Sequence, residues 1–566
     1  MRAAGLRGCM ATNAKFSAAN DHSASNINEI SPKSKELVIG VVGHAGAGAS
    51  TAGKRIRVML GNAGYTVVSV KLSDLIIKID NPTLPEIDDG VAAGVTRFDR
   101  ACELQNLGDK IRKAHGGHAL AVAAIGHVKA RRGAAVPGES KLAFVLDSLK
   151  HPDEVRLLRQ VYDHSFRLVA IHCDESKREA RLIGASISDA KFGGVERKRV
   201  LQFMQRDAKD DEHKHGQRVR DAFHLADFFL DNTTDSPGGS AMNGDIDRFV
   251  RLLLDEQLVR PTGGERAIYH AYAASLQAAC LSRQVGAALV ASDGTLIATG
   301  ANDPPKFGGG IYDEDSSPDN RCFAWKFDTE TGDFYGCHND RKKHELYASI
   351  ASWMADNLSE AVADQLVPVN EMMGKDLAVE TRAKTQDSIR KALAIVAPQL
   401  REMPGVKDAI EYSRAIHAEM TALLAAARSG ASTSASSLYV TTYPCHNCAR
   451  HLVAAGVSRV YFIEPYVKSL ACELHSDAIV SELPAPASDT GQKQTRMAMV
   501  PFTGVGPRMY EDFFVKRGEL KSIGGKFNPK SGGTPFFAVR LRELEAVERE
   551  AVNLIPEFAS DETVDA

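Results

Sequence analysis

Three potential zinc ligands that lie far apart in the sequence place the strongest constraint on how this chain folds. His417 precedes an alanine- and leucine-rich helical stretch, while Cys445 and Cys448 follow a short strand and Pro444, a residue that favours the start of a second helix. One histidine and two cysteines can hold zinc and leave a coordination position open for water. The sequence therefore predicts a helix–strand–helix unit that brings these three residues together.

Glu419, two residues after the histidine, indicates a catalytic use of this predicted metal. A structural zinc site normally has four protein ligands, whereas this pattern supplies three and a glutamate. The spacing His-x-Glu followed by Pro-Cys-x-x-Cys is the signature of zinc nucleobase deaminases. In that chemistry the glutamate takes a proton from water and delivers it to the ring nitrogen, and in a later step it protonates the leaving amine. We predict this role for Glu419.

Composition narrows the class of protein. A chain of 566 residues is expected to form two or more domains. Its net charge of −3 argues against a protein that mainly neutralises nucleic-acid backbones. Nine cysteines are too few for a disulfide scaffold, and no apolar run is long enough to span a bilayer. We expect a cytoplasmic protein with no membrane association, in which residues 1–34 form a flexible tail.

A glycine-rich stretch follows the first apolar run, at 36–43. Strand, glycine-rich turn and helix form the context of a phosphate-binding loop. The residues predicted to bind a nucleotide through it are Gly43, His44, Ala45, Gly46, Ala47, Gly48, Ala49 and Ser50. Because Ala49 replaces the usual lysine, we expect binding of an ATP-like nucleotide without efficient hydrolysis. A tight turn with no ligand is the alternative.

Further apolar runs alternate with helical stretches, which predicts a parallel, helix-flanked sheet. One run ends at Asp147, the position of a Walker-B-type carboxylate. The second domain opens with a helix and a hairpin around Asp293-Gly294, and Asn302 then lies where its amide could reach a sugar hydroxyl. An insertion at about 303–410 follows. Its Cys322, Cys337, His338 and His344 leave two interpretations open, a second zinc site or scattered side chains.

Several motifs resemble the deoxycytidylate deaminase family. They are the stretches 280–287, 299–302, 417–419, 444–448 and 464–470, followed by 475–477. A degenerate phosphate loop ahead of such a domain, with the stretch 147–152, resembles the bacterial anti-phage dCTP deaminases. The resemblance implies an α/β protein with an N-terminal P-loop kinase-like parallel sheet domain (35–262) and a C-terminal cytidine deaminase-like α/β/α domain (263–545). Residues 546–566 are then a C-terminal tail.

The resemblance also implies a function: zinc-dependent conversion of dCTP, and in some members dCMP, to the uracil nucleotide, depleting dCTP against phage. Candidate substrate contacts are Asn302, Lys468 and Ser469, with Arg283 and Lys306 as further candidates for phosphate. Expected partners are free deoxycytidine nucleotides, a second copy of the chain in a homo-oligomer, and a regulatory small RNA or nucleotide. The alternatives are a dCMP deaminase of pyrimidine metabolism, a nucleic-acid cytidine deaminase and a non-catalytic regulator.

Overall fold

A computed structural model describes eighteen parts of the chain. These are residues 33–80, 97–133, 141–186, 194–210, 213, 215–233, 240–256, 259–325, 336–366, 375–403, 412–465, 469–481, 495–517, 519–522, 524–527, 535, 537 and 539–558. None of the helices within these ranges is both long and apolar enough to cross a membrane. The predicted tail at 1–34 lies outside the described residues except for its last two positions.

The described residues form strands and helices that alternate along much of the chain. The strands are β1 Lys33–Ser34, β2 Leu37–Gly43, β3 Thr66–Lys71, β4 Leu142–Leu149, β5 Phe166–His172, β6 Phe228–Asp231, β7 Gly286–Val290, β8 Leu296–Ala301, β9 Ser437–Thr442, β10 Arg459–Glu464, β11 Ile479–Val480, β12 Met497–Pro501, β13 Gly504–Val505 and β14 Val539–Arg540. The first nine helices are α1 Ala49–Asn62, α2 Leu72–Asp80, α3 Arg97–His115, α4 Ala119–Gly133, α5 Pro152–Tyr162, α6 Glu175–Ser186, α7 Gly194–Ala208, α8 Val219–Phe223 and α9 Ser240–Leu253. The remaining helices are α10 Gly263–Ser275, α11 His338–Trp353, α12 Ser359–Leu366, α13 Lys375–Val396, α14 Ala418–Ser429, α15 His446–Ala454, α16 Ala471–Leu474, α17 Tyr510–Phe514 and α18 Leu541–Val552.

The first sheet has the strand order β13-β6-β5-β2-β4-β3, and all neighbours are parallel except β13 and β6. Every residue of β2 is buried because helices cover both faces of the sheet. Val38 and Val42 belong to a core cluster that includes residues of α4 and α5, whereas Ile39 and Val41 belong to one with residues of α1 and α9. The predicted parallel, helix-flanked sheet is confirmed.

The end of β2 lies at the point where the strand order of this sheet reverses. The chain goes from β2 to β3 and β4 on one side, and then to β5 and β6 on the other. Open parallel sheets bind ligands at such a point, outside the carboxyl ends of the strands. The glycine-rich loop at 43–50 therefore occupies the position in this sheet where a phosphate-binding loop is expected.

The second sheet has the order β11-β12-β10-β9-β7-β8. β7 pairs antiparallel with β8 and with β9, and the remaining neighbours are parallel. The predicted hairpin is confirmed, with Gly294 at φ +87° in its turn. α14 and α15 share a core cluster with β9 and β10, while α10 packs against β7 and β9 and contributes Ile268 and Ala271 to the core of the first domain. The predicted α/β arrangement of this region is confirmed.

One hydrophobic core cluster contains residues of both sheets. Phe229 of β6 makes an edge-on contact with Phe502, with ring centroids 6.0 Å apart. β13 follows Phe502 closely in the sequence and pairs with β6. It thereby extends the first sheet with residues from the C-terminal region. The C-terminal region therefore contributes a strand to each of the two sheets.

The end of the chain also returns to the first domain. β14 pairs with β1, and α18 packs against α4 and α5. Glu548 of α18 is fully buried, whereas the sequence predicts a tail from residue 546. That prediction is wrong through Val552, because α18 buries Leu544 and Ala551 against the first domain. Between β8 and α14, the insertion forms α11, α12 and α13.

Candidate metal centre and pocket

Two of the predicted zinc ligands stand at the first turn of a helix. His417 is the N-cap residue of α14, and Cys445 is the N-cap residue of α15 and accepts a hydrogen bond from the Cys448 amide. Helix N-termini carry partial positive charge and favour anionic groups such as thiolates. Because α14 and α15 pack against each other, their first turns converge.

The three predicted ligands meet as the sequence indicates. The Sγ atoms of Cys445 and Cys448 lie 3.3 and 3.4 Å from Nδ1 of His417. These three donors lie within 4.8 Å of one another, and no other such cluster occurs in the described parts of the chain. One imidazole and two thiolates are ligands that zinc prefers, and three protein ligands are typical of a catalytic site. The residues therefore fit Zn²⁺, with His417, Cys445 and Cys448 as its ligands.

The surroundings of Cys445 favour its thiolate form. The hydrogen bond with the Cys448 thiol lowers the pKa of Cys445 to about 4, with His417 adding to this effect and burial opposing it. The thiolate, and not the thiol, is the form that binds metals. The local geometry thus prepares an anionic sulfur before any metal binds.

Glu419 lies beside the three ligands in the first turn of α14. Its side chain is buried, with 3% of the residue exposed, and it forms a hydrogen bond with Cys448. Burial raises the pKa of its carboxyl group. A carboxyl group in such a position can hold a proton and pass it on, which general acid–base chemistry requires.

A cavity of about 190 Å³ opens above these residues. Glu419, His417 and Cys445 form one part of its wall, and residues 280–283 form another. The remaining lining residues come from several separate segments of the chain: Val285, Asn302, Cys322, Cys337, His338, Asn339, Ser413, Arg414, Ala415, Ala418, Thr442 and Tyr443. The pocket therefore joins the predicted zinc site to two basic groups, Arg283 and Arg414.

Asn302 lies in the pocket wall, but both ends of its amide hold the backbone. Its Oδ1 accepts from the amide of Val285 at 2.7 Å, and its Nδ2 donates to the carbonyl oxygen of Arg283 at 2.8 Å. These bonds fix the segment that carries Arg283 into the pocket. Contact between Asn302 and a sugar hydroxyl stays a prediction.

The other predicted substrate contacts differ in their positions. Arg283 lines the pocket and forms an ion pair with Glu464. Ser469 donates to the carbonyl oxygen of Pro444 at 2.7 Å and so supports the turn before Cys445. Lys306 is exposed and lies outside the pocket lining, and Lys468 lies outside the described residues. Of the three residues among these that the structure describes, Arg283 alone lines the cavity.

Sequence reasoning missed the pocket residues that come from the insertion and its end. Arg414 stacks on the Trp325 ring, with its guanidinium carbon 4.1 Å from the ring centroid, and donates to the carbonyl oxygen of Asn320 at 2.8 Å. The imidazole ring of His338 also stacks on the Trp325 ring, with ring centroids 4.8 Å apart. No spacing or periodicity in the sequence predicts these contacts. The available signal is that Arg414 lies three residues before His417 and is therefore close to it in the chain.

The second zinc site considered for the insertion does not form in this structure. Cys322, Cys337, His338 and His344 all lie in the described ranges, yet they do not converge as a cluster of three or more ligands. Cys322 and Cys337 instead contribute to the pocket wall. The interpretation of scattered side chains is therefore the one that the geometry supports.

The glycine-rich loop has the backbone of a strand-to-helix turn. Gly46 and Gly48 have φ angles of +80° and +91°, a conformation that favours glycine. Ala49 and Ser50 begin α1, and Ala47 is buried against the core. Asp147 is largely buried near the end of β4, where it accepts from Ser148 Oγ at 2.9 Å. Nucleotide binding by the loop and magnesium binding by Asp147 stay predictions.

Comparison with known proteins places this geometry in context. Residues 368–464 match the family described as cytidine and deoxycytidylate deaminase zinc-binding region. The chain is 26% identical to the deoxycytidylate deaminase of enterobacteria phage T2 over 199 residues, which cover 35% of this chain and 78% of that protein. It is 43% identical to ComE operon protein 2 of Bacillus subtilis over 54 residues, which cover 10% of this chain and 29% of that protein.

The chain thus spans less than a third of the length of the Bacillus relative. Among solved structures, a shikimate kinase from Acinetobacter baumannii matches at 13% identity and a TM-score of 0.22, over 41% of this chain and 99% of that chain.

Proposed function

We propose that this chain, whose C-terminal region carries a deoxycytidylate deaminase-family domain, is a zinc-dependent hydrolase that deaminates free deoxycytidine nucleotides. The proposed substrate is dCTP, with dCMP as a second substrate, and the products are the uracil nucleotide and ammonia. One observation carries the proposal: His417, Cys445 and Cys448 converge beside the buried carboxyl group of Glu419 at the wall of a cavity.

The residues divide the chemistry between them. Zinc, when bound, supplies a water molecule whose pKa is lowered towards neutrality. Glu419 would take a proton from water at this site and pass it to the ring nitrogen of cytosine as the water oxygen bonds to C4. It would then move the remaining proton of that oxygen to the amine, so that the C4–N bond breaks and ammonia leaves. Burial of Glu419 supports this role, because a raised carboxyl pKa favours holding the proton between the two transfers. Removal of bulk water from the cavity strengthens these interactions.

The charges around the pocket support a free nucleotide as the substrate. Arg283 and Arg414 line the cavity, and a guanidinium group is well suited to bind phosphate oxygens. The net charge of −3 disfavours a polynucleotide substrate, whose binding normally requires a broad basic surface.

We propose a role in defence against phage, through depletion of the dCTP that DNA synthesis requires. The sequence resemblance and the presence of a second domain with a glycine-rich loop support this role. A dCMP deaminase of nucleotide metabolism is the second candidate, and the name of the phage T2 relative favours it. Homo-oligomerisation, a cytoplasmic location and a regulatory RNA or nucleotide stay predictions.

A substrate panel tests the proposed reaction. The zinc-loaded protein is incubated separately with dCTP, dCMP, CTP, cytidine and single-stranded DNA, and uracil products are separated by chromatography. We expect product from dCTP or dCMP and none from single-stranded DNA. A dCMP-only result favours the metabolic alternative. Product from DNA alone, or from none of the five in a zinc-loaded sample supplied with phage-infected cell extract, would contradict the proposal.

A further inference from the structure

A carboxylate from the first domain itself contacts the glycine-rich loop. The Ala45 amide donates to Oδ2 of Asp207 at 2.8 Å. Asp207 lies near the end of α7, far from the loop in sequence, and only 1% of the residue is exposed. A loop of this kind ordinarily presents its amides to the phosphate of a ligand. Here one of those amides already binds an anion of the chain.

A lysine completes this contact. Nζ of Lys150 lies 2.7 Å from Oδ1 of Asp207 and donates to the carbonyl oxygen of Gly43 at 3.0 Å. Lys150 follows β4, so it approaches the loop from the neighbouring strand. The position at which a phosphate loop carries its own lysine is Ala49 here. Two other cations also contact the loop, since Arg178 donates to the carbonyl oxygen of Ala45 at 3.5 Å and Arg181 to that of Gly46 at 3.3 Å. Lys150 is the cation that contacts both the loop and Asp207.

The rest of the loop is also engaged. The Ala47 amide donates to the carbonyl oxygen of His44 at 2.9 Å, and the Ala47 carbonyl oxygen accepts from Nδ2 of Asn232 at 2.8 Å. A Cβ atom on Gly46 would lie 2.9 Å from the carbonyl oxygen of Arg178. The loop is therefore packed from two sides, and Asp207 adds a charged contact.

Asp207 is ionised in this position. Although burial alone would raise the pKa of its carboxyl group, Lys150 and His44 hold that pKa well below its usual range. A buried carboxylate is stable only when it is paired and hydrogen-bonded, and Asp207 meets both conditions. The loop thus holds a full negative charge close to where a phosphate group would place its own.

We propose that Asp207 is an internal anion that blocks the glycine-rich loop, and that an external polyphosphate enters only when Asp207 leaves. Lys150 is then released from Asp207 and pairs with the incoming phosphate. In this role Lys150 takes the place of the lysine that the loop lacks. The ligand class is a polyphosphate such as a nucleoside triphosphate. Because Asp207 is buried near the end of α7, its departure from the Ala45 amide is coupled in this proposal to movement of that helix end.

Calorimetric titration of the full-length, zinc-loaded protein with inorganic tripolyphosphate tests this proposal. Asp207→Asn removes the internal charge and keeps the shape, whereas Asp247→Asn makes the same charge change at an exposed site on α9. If the loop is blocked most of the time, Asp207→Asn should bind at least about tenfold more tightly than wild type. Asp247→Asn should match wild type. Equal affinity of wild type and Asp207→Asn, or no binding by a folded Asp207→Asn protein, would overturn the proposal.

Three further measurements keep the test independent of one variant. Asp207→Ser retains an oxygen for the Ala45 amide and should show the same gain if the asparagine variant does not fold. Adding Lys150→Gln to Asp207→Asn should remove the gain, since the proposed phosphate partner is lost. In wild type, saturating tripolyphosphate should increase deuterium exchange across residues 194–208, and binding without that increase would count against the proposal. These readouts do not depend on deamination.

Discussion

A Cβ atom added to Gly300 would lie 2.2 Å from the carbonyl oxygen of Ala418. Ala418 lies between His417 and Glu419, so β8 approaches the backbone of the first turn of α14 with no side chain between them. Thr421 strengthens this contact by donating through Oγ1 to the carbonyl oxygen of Ala301 at 2.9 Å. The strand therefore sets the position of the first turn of α14.

Gly300→Ala should displace that turn and weaken the metal site. A Cβ at 2.2 Å from a backbone oxygen forces β8 and α14 apart. Displacing the support of a metal ligand typically costs about 10- to 100-fold in metal affinity or activity. We expect a loss in this range, measured by zinc competition with a chelator. Gly61→Ala is the matched control, because no heavy atom lies within 4 Å of its added Cβ. Unchanged zinc affinity in Gly300→Ala would show that the strand does not position the turn.

Much of this site could be predicted from local sequence. His417 and Cys445 each precede a helix whose start the sequence signals, so the ligand set and Glu419 followed from spacing alone. The contact between Gly300 and Ala418 could not be predicted, because a glycine at the end of a strand gives no indication of which backbone approaches it. Arg414 and Trp325 were missed for the same reason, since their contact depends on the path of the insertion.

Removing either thiol should abolish metal binding. We expect one zinc ion per chain in wild type, and less than about a tenth of that in Cys445→Ser and Cys448→Ser, because a serine hydroxyl does not replace a thiolate ligand. Cys102→Ser is the control, since Cys102 lies on α3 and outside the ligand cluster. Metal content by mass spectrometry of the purified proteins gives the result. Two zinc ions per wild-type chain would instead indicate a further metal site.

We expect Arg132 to stabilise the contact between the segment before β2 and the C-terminal helix α18. Its guanidinium group pairs with Glu36, next to β2, and with Glu548 of α18, and Tyr162 also donates to Glu548 at 2.9 Å. Arg132→Met would leave two buried carboxylates without their cation. Breaking a buried pair in this way costs about 3–5 kcal/mol.

Urea unfolding measures the effect of Arg132→Met. Arg131→Met serves as the control, because Arg131 is exposed on the same helix and should change stability by less than about 0.5 kcal/mol. Equal stability of the two variants would mean that the network contributes little to the fold. The same measurement tests whether α18 contributes to the stability of the fold, because Glu548 leaves Arg132 when α18 unfolds.

His172, at the end of β5, should make the first domain sensitive to acid. Burial lowers its pKa to about 4, with Asp231 opposing the effect. In the unfolded chain its pKa returns to about 6.5. The contribution of neutral His172 to the free energy of unfolding is therefore complete above about pH 6.5. It is lost as the pH falls towards about 4, with a slope of up to about 1.4 kcal/mol per pH unit.

His172→Gln should remove that slope. Urea unfolding between about pH 7 and pH 5 should show wild type losing stability faster than this variant, by up to the one-proton slope. His164→Gln changes an exposed histidine and should leave the wild-type slope intact. Parallel pH profiles for wild type and His172→Gln would mean that His172 does not carry the effect.

The larger differences between sequence and structure concern contacts between distant segments. β13 is two residues long and joins the first sheet rather than the second, and α18 packs on the first domain. Neither pairing leaves a periodic pattern, because the partner lies several hundred residues away. Asp207 reaches the Ala45 amide only through the fold, because the two residues lie far apart in the sequence. Apolar runs predicted β2, β4 and β5, because strands that are buried on both faces consist largely of apolar residues.

The catalytic role of Glu419 gives the most direct test of the proposed function. Ammonia release from dCTP and dCMP is measured for wild type and Glu419→Gln, with the zinc content of both proteins determined on the same samples. We expect both to hold one zinc ion per chain and the variant to lose activity by at least about a hundredfold, the usual contribution of general acid–base catalysis. Equal ammonia release by the two zinc-loaded proteins would contradict this account.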